Sequence, residues 1–332
     1  MTACAGVMTP RERFLAALAG RRVDRVPYFE YSVHPSICEA LIGEPLKRDR
    51  KKEINRAFGI CDIELWRKPP VFVEDAGVMH GRAYQGHGAI RTRDDLPRMV
   101  LPPPAPPEVL EAAHKLTEEK EEFAAGLVVA LGLDPMLLSM GYEGFSYAQA
   151  DDPELPLEIL KRYCEWVVEL LDAMRGFKFD FVLAGDDMAH KTGPFFSPEW
   201  FHEKALPIVR QVAEAAPWPL VLHCDGNLEP LLPGILALGV KGVHPMEPEA
   251  VDIFEFKRKY GDRLTVIGNV DVNNLSLGTP ESVRAEVRDK LARLAPGGRY
   301  VIASSSCIPE YVKPENYRAM VDAIREFSAT PE

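Results

Sequence analysis

The amino-acid sequence predicts an α/β fold, a (β/α)8 barrel, and three observations lead there. Eight short apolar or β-branched runs recur along the chain, at residues 26–31, 60–65, 127–131, 179–184, 219–223, 240–245, 264–268 and 300–303. Runs of that kind suit parallel strands covered on both faces. Amphipathic helical patterns separate most of them, for example at 157–174, 200–215 and 283–294, as alternating β and α units require. The length, 332 residues, exceeds the roughly 250 that such a barrel needs and leaves room for insertions. An open doubly wound sheet is the competing arrangement. It ordinarily brings fewer strands and a glycine-rich phosphate turn, and the chain has no GxGxxG or Walker-type loop.

Helix starts repeat one chemistry. Thr9-Pro10-Arg11-Glu12 reads as a capping box with proline at the first helical position, and Gly20 closes that helix. Asp152-Pro153-Glu154, Ser197-Pro198-Glu199 and Thr279-Pro280-Glu281 read as further starts. The alternation breaks at residues 71–101, a glycine-punctuated stretch expected to form a β insertion between the second and third strands. The proline-rich segment 102–107 then stiffens the return to a helix. Residues 1–332 are expected to form one domain, with 71–107 as its insertion.

Composition narrows the function classes. The formal charge is −11, and no block of Lys and Arg interleaves with aromatics, so nucleic acid is not an expected partner. The basic run at 47–52 reads as a solvated helix face. No apolar run approaches the roughly 20 residues that span a bilayer, and residues 1–10 lack a basic segment followed by an apolar one, so a cytoplasmic protein is expected. The six cysteines, at 4, 38, 61, 164, 224 and 307, form no CxxC pair and are expected to be mostly buried. Whether the chain forms a homodimer is left open by its sequence.

The residues just past the strands carry the chemistry. They are Glu30-Tyr31, Asp186-Asp187, His223-Cys224-Asp225, His244 through Glu247, Asn269 and Ser304 through Cys307. Polar groups at the C-terminal ends of barrel strands converge on the mouth, where such enzymes act. Glu30, Tyr31, Asp186 and Asn269 are therefore expected to touch substrate, and Asp187, His190 and His223 to serve as acid–base groups. In extended backbone His223 and Asp225 project to one side while Cys224 turns toward packing. His223 reads either as a histidine tying its loop through backbone hydrogen bonds or as a metal ligand or acid–base group. As a ligand it would join Asp225 and Cys307, with Glu247 as an optional fourth donor, since open zinc sites draw on N, S and O donors. A rival set of Glu154, Glu169 and His190 fails on geometry. On one helix the two glutamates stand about 22 Å apart along the axis. Of the adjacent aspartates only one can face the mouth. The nearby aromatics, Tyr31, Tyr84, Phe195 and Phe196, read as lid packing or as substrate platforms.

At these strand ends the chain resembles the uroporphyrinogen decarboxylase superfamily, from TPRER at residue 9 to PEN at residue 314. The most specific stretches are GDDMAHKTGPFFSPEWF (185–201), HCDGN (223–227), HPMEPEAVDIFEFKRKYGDRLTVIGNVD (244–271) and PGGRYVIASSSCIP (296–309). The resemblance implies a TIM barrel and two activities: porphyrinogen decarboxylation, and zinc-dependent methyl transfer with corrinoid proteins. The decarboxylase grips its substrate with an arginine-rich segment after the first strand, where this chain has Glu30. The methyltransferases that serve coenzyme M bind zinc through a His-x-Cys pair and a distant Cys. Here His223 matches the His, Asp225 stands in the first Cys position, and Cys307 lies near the second. A carboxylate in place of a thiolate points away from thiol activation. The pattern looks more like the branch that demethylates methoxylated aromatics, feeding the methyl group to cobalamin on a partner corrinoid protein. Asp187 or His190 would then help the phenolate leave. Methyl transfer from corrinoid to a thiol or folate, decarboxylation of a small acid, and a non-catalytic metal-bearing scaffold are the alternatives.

Overall fold

Seven parallel strands make one curled sheet in the computed structural model, which describes residues 7–45, 51–74, 77–79, 82–84 and 86–330. In chain order they are β1 (Asp62–Trp66), β2 (Ala124–Val129), β3 (Phe181–Gly185), β4 (Leu220–His223), β5 (Gly242–His244), β6 (Thr265–Ile267) and β7 (Tyr300–Val301). Each pairs with its neighbour in sequence, so the sheet is wound without a strand out of order. Residues 26–31, expected as a full strand, contribute single bridges instead. Tyr28 bridges Ile60 beside β1 and Ile302 beside β7, both in parallel. Phe29 N donates to Ile302 O (3.0 Å) and Cys61 N to Tyr28 O (2.8 Å). The two edges of the sheet therefore meet at this segment.

Alternation along the strands builds two cores. Phe29, Cys61, Ala124, Val128, Phe181, Leu183, Val221, Ile267, Val301 and Ala303 share one buried cluster inside the curl. Their sequence neighbours, such as Leu127, Val182, Leu222, Val266 and Ile302, belong to the outer cluster under the helices. The inner cluster is plugged by the first helix, Pro10–Leu18, whose Phe14 meets Phe29 (ring centroids 6.0 Å apart) and Phe181 (4.9 Å). Truncating so large a buried ring costs about 3–5 kcal/mol. Thr9 begins this helix with the expected capping box: Glu12 N donates to Thr9 Oγ1 (3.2 Å), and Thr9 N to Glu12 Oε2 (2.7 Å).

Ser197 and Thr279 also cap their helices through their side chains. Asp152 does not. Its carboxylate pairs with Arg93 (2.6 Å), and the helix Glu154–Met174 starts after Pro153 with no side-chain cap. The helical stretch expected at 200–215 begins at Pro198 and contains a π-turn, Phe201–Ala205, immediately before Leu206-Pro207. A proline inside a helix lacks the N–H and crowds the preceding turn, and a widened turn accommodates it.

Within 71–107, strand pairing among the described residues is a short antiparallel pair, Gly77–Met79 with Arg82–Tyr84, plus a bridge from Val73 to Gly88. A 3-10 helix, Arg93–Arg98, follows. Cys4, most of the basic run at 47–52 and the side chain of Tyr84 lie outside the described residues. Among those residues, no helix is long and apolar enough to cross a membrane.

Candidate functional site

Inward positions recur every second residue, so the layer above Phe29, Leu183 and Val221 consists of Tyr31, Gly185 and His223. Gly185 pairs in register with His223 and His223 with His244, which sets these residues side by side at the C-terminal end of the sheet. The Tyr31 ring stacks on His223, with centroids 4.0 Å apart and planes within 10°. His223 Nδ1 lies 2.7 Å from His244 Nδ1. One of these nitrogens must donate and the other accept. If His223 donates, its own Nε2 keeps a free lone pair, the form in which imidazole binds metal. His244 then carries its proton on Nε2, and that buried nitrogen has no hydrogen-bond partner. Burial holds His223 down at about 4, with Lys68 acting in the same direction and Asp187 opposing, so the ring is neutral near pH 7. Burial likewise keeps His244 well below the ordinary histidine range.

Asp187, His223 and Asp225 each bring one ligand atom within 4.8 Å of the others. Loop hydrogen bonds hold this triad. Asp225 N donates to Asp187 Oδ1 (3.1 Å), Met188 N to Cys224 Sγ (3.1 Å) and Asn227 N to His190 O (2.9 Å). Gly226 makes the close approach feasible: its φ is +83°, and a Cβ there would fall 2.6 Å from His190 O. Asp225 Oδ1 is buried without a hydrogen-bond partner. Burial pushes Asp225 up to about 7, and the charges of Asp187 and Glu247 add to that. Two carboxylates and one neutral imidazole, with an oxygen left unsatisfied, suit a divalent cation and leave coordination positions open.

A second group of charges lies beside the triad. The slot that a side chain at Gly185 would fill is taken by Lys68: an added Cβ would lie 2.6 Å from Lys68 Nζ and 3.2 Å from Tyr31 Oη. Asp186 is fully buried and accepts from the backbone N–H groups of Leu131 and Asp134 (2.6 Å for the latter). Burial raises Asp186 to about 6 and Asp134 to about 7, while the Lys68 charge opposes both shifts.

The structure brings His223 and Asp225 together as the sequence suggested, and adds Asp187 to them. Cys307 and Glu247, expected as further metal ligands, stand outside this cluster. Cys307 is half-buried, with its thiol raised by burial, and Glu247 lies 3.9 Å from Lys191. His190, expected as an acid–base residue, is exposed, and its carbonyl ties the loop. Glu30 and Asp186, expected to touch substrate, bond within the barrel wall instead. Glu30 accepts from Tyr28 Oη (2.9 Å) and Ser304 Oγ (2.6 Å). Asn269 is buried, with its side-chain nitrogen donating to Met246 O, its backbone carbonyl accepting from Lys290 Nζ (2.5 Å), and its Oδ1 without a partner. Cys224 is buried, away from the triad's donor atoms. Glu154 and Glu169 are exposed on one unbroken helix.

Sequence reasoning missed Lys68, Asp134 and the role of His244 as partner to His223. Lys68 follows β1 by two residues and His244 ends β5, so the strand-end rule contained the signal for both. Asp134 sits at the start of the helix Leu133–Met140, where it reads as an ordinary first-turn acid.

Residues 86–327 match the family model for uroporphyrinogen decarboxylase (URO-D). A methylated-thiol–coenzyme M methyltransferase of Methanosarcina mazei is 25% identical over 346 residues, covering 96% of this chain and 90% of that protein. A uroporphyrinogen decarboxylase of Pseudoalteromonas translucida is 28% identical over 145 residues, 41% of this chain and 40% of that protein. Among solved structures, a methyltransferase from Methanosarcina mazei superposes with a TM-score of 0.70 at 22% identity, covering 96% of this chain and 99% of that one. A B12-independent methionine synthase from Shewanella sp. W3-18-1 shares the fold at a TM-score of 0.51 and 9% identity, covering 91% of this chain and 95% of that one.

Proposed function

The chain belongs to the uroporphyrinogen decarboxylase (URO-D) family, and within it we propose a methyltransferase that moves a methyl group from a methoxylated aromatic to the cobalt of a corrinoid carried by a partner protein. The observation that carries this reading is the triad of Asp187, His223 and Asp225, two oxygen donors and one nitrogen with no sulfur among them. A sulfur-rich site favours a thiol substrate, and an oxygen-rich one favours an ether or alkoxide oxygen. Decarboxylation of a porphyrin polycarboxylate is disfavoured by the mouth itself. The charges of Asp187 and Glu247 already push the Asp225 carboxyl up, and further carboxylates would meet the same opposing field.

The residues present fit a divalent cation such as zinc, with Asp187, Asp225 and the Nε2 of His223 as its holders. When bound, such an ion supplies Lewis acidity toward the departing oxygen. The chain's own residues do the positioning. Tyr31 stacks on His223 and leans on Trp66, with ring centroids 4.7 Å apart, so an aromatic wall stands next to the triad's imidazole. The second reading, methyl transfer involving a thiol, draws on the Methanosarcina mazei relative, whose name specifies a methylated thiol.

The experiment that separates them offers the purified protein cob(I)alamin with a panel of methoxybenzenes and, in parallel, methylated thiols. Formation of methylcobalamin is followed by absorbance, with and without chelator. Chelator-sensitive transfer from a methoxybenzene is expected. Transfer from methylated thiols alone moves the assignment to the second reading, and transfer from neither overturns both.

A further inference from the structure

We propose that Lys68 is a catalytic residue that receives the negative charge of the heteroatom losing its methyl group. This rests on the methyl-transfer reading, whichever donor class is used. Gly185 occupies an inward position in the same layer as Tyr31 and His223, and it supplies no side chain there. Lys68, arriving from the loop after β1, places its ammonium in that vacancy. Nζ sits where a Cβ on Gly185 would lie 2.6 Å away, and Tyr31 Oη borders the same slot at 3.2 Å. Any side chain at Gly185 would displace the ammonium from the triad's neighbourhood.

The acids around Lys68 do not consume it. Asp186 is engaged by two backbone N–H groups, Asp187 accepts from Asp225 N, and Lys68 makes no ion pair or hydrogen bond among the described residues. A half-buried ammonium with free donors, next to a group of candidate metal ligands, is arranged for an anion that exists only during turnover.

The step balances. The cobalt(I) corrinoid contributes an electron pair to the methyl carbon as the carbon–oxygen bond breaks, and that bond's pair passes to oxygen. An Nζ–H donates to the resulting phenolate. If the proton transfers, phenol leaves and the amine takes a proton from water. A methylated thiol follows the same course with sulfur.

The test compares wild type, Lys68→Met and Lys68→Arg, with folding checked by circular dichroism and bound metal by elemental analysis. Methyl transfer to cob(I)alamin is measured across para-substituted anisoles. With Lys68→Met, rates should fall at least tenfold for the most basic leaving phenols and least for the most acidic, while Lys68→Arg recovers part of the loss. A second reading needs no turnover: 4-nitrophenolate should bind at least tenfold more weakly to Lys68→Met, with 4-nitroanisole binding unchanged. An unchanged leaving-group dependence in an active Lys68→Met overturns the assignment of Lys68 and leaves the methyl-transfer reading intact. If wild type transfers no methyl group from any ether or thiol donor, that reading fails, and equal nitrophenolate affinities in the two proteins then overturn the Lys68 assignment on its own terms.

Discussion

Replacing Glu30 with Gln should flatten the dependence of stability on pH. Glu30 is 5% exposed. Burial pushes its carboxyl from 4.5 up to about 8, against the hydrogen bonds from Ser304 and Tyr28 that favour the ionised form. Folding between those two values therefore takes up a proton. The contribution is fully present below the unfolded value and is lost as pH rises through the folded one. At about 1.4 kcal/mol per unit, wild type should lose about 4 kcal/mol of stability to this residue between pH 5 and pH 8. Glutamine has the same shape, accepts from one of the two hydroxyls through its single amide oxygen, turns its Nε2 as a donor toward the other, and titrates nothing. Urea unfolding followed by circular dichroism from pH 5 to pH 8 gives both curves. The variant's stability should fall less steeply, with the gap widening steadily toward pH 8. Asp134, Asp186 and Asp225 titrate in both proteins and cancel from the difference, which therefore reports Glu30 together with Asp62, whose charge adds to its shift. Parallel curves would refute the view that this carboxyl is buried and protonated.

The proposed metal site carries two further predictions. Asp187→Ala should lower bound zinc per chain severalfold, since a three-donor site rarely survives losing one, whereas Cys307→Ser should keep wild-type content; the reverse result would return sulfur to the ligand set. His244→Phe should weaken zinc binding about 10–100-fold by calorimetry, because nothing then orients His223 Nδ1, and His244→Asn, which restores an acceptor, should recover part of it. Equal affinities in folded wild type and His244→Phe would show that the contact between the two histidines is only packing.

Much of the fold was legible because parallel strands and capped helices leave local marks. Seven of the eight expected runs form strands at shifted boundaries. The eighth, at residues 26–31, carries the right apolar pattern, yet whether it pairs as a ladder or through one bridged residue depends on how the two edges of the sheet meet. The π-turn at Phe201–Ala205 was signalled by Pro207, and Asp152 looked like a cap until Arg93 claimed its carboxylate. At the site, His223 and Asp225 could be paired because they are two residues apart on one extended segment. Joining Asp187 to them, and leaving Cys307 out, depends on how the loops after β3 and β4 are stitched through Gly226. The space above Gly185 was invisible for a related reason. A glycine says that something lies close to the backbone, and only the assembled barrel shows that it is Lys68.

On the proposed reading, the methyl group of an aryl ether leaves this mouth bound to cobalt, with assistance from a metal held by Asp187, His223 and Asp225. A single-turnover reaction of cob(I)alamin with a trideuteromethoxybenzene tests it directly, with methylcobalamin mass and phenol release read together. Methylcobalamin carrying all three deuteriums should appear in step with phenol, and should vanish in metal-depleted protein and in Asp225→Ala. Unlabelled methylcobalamin, phenol without methylcobalamin, or full activity in Asp225→Ala would contradict it.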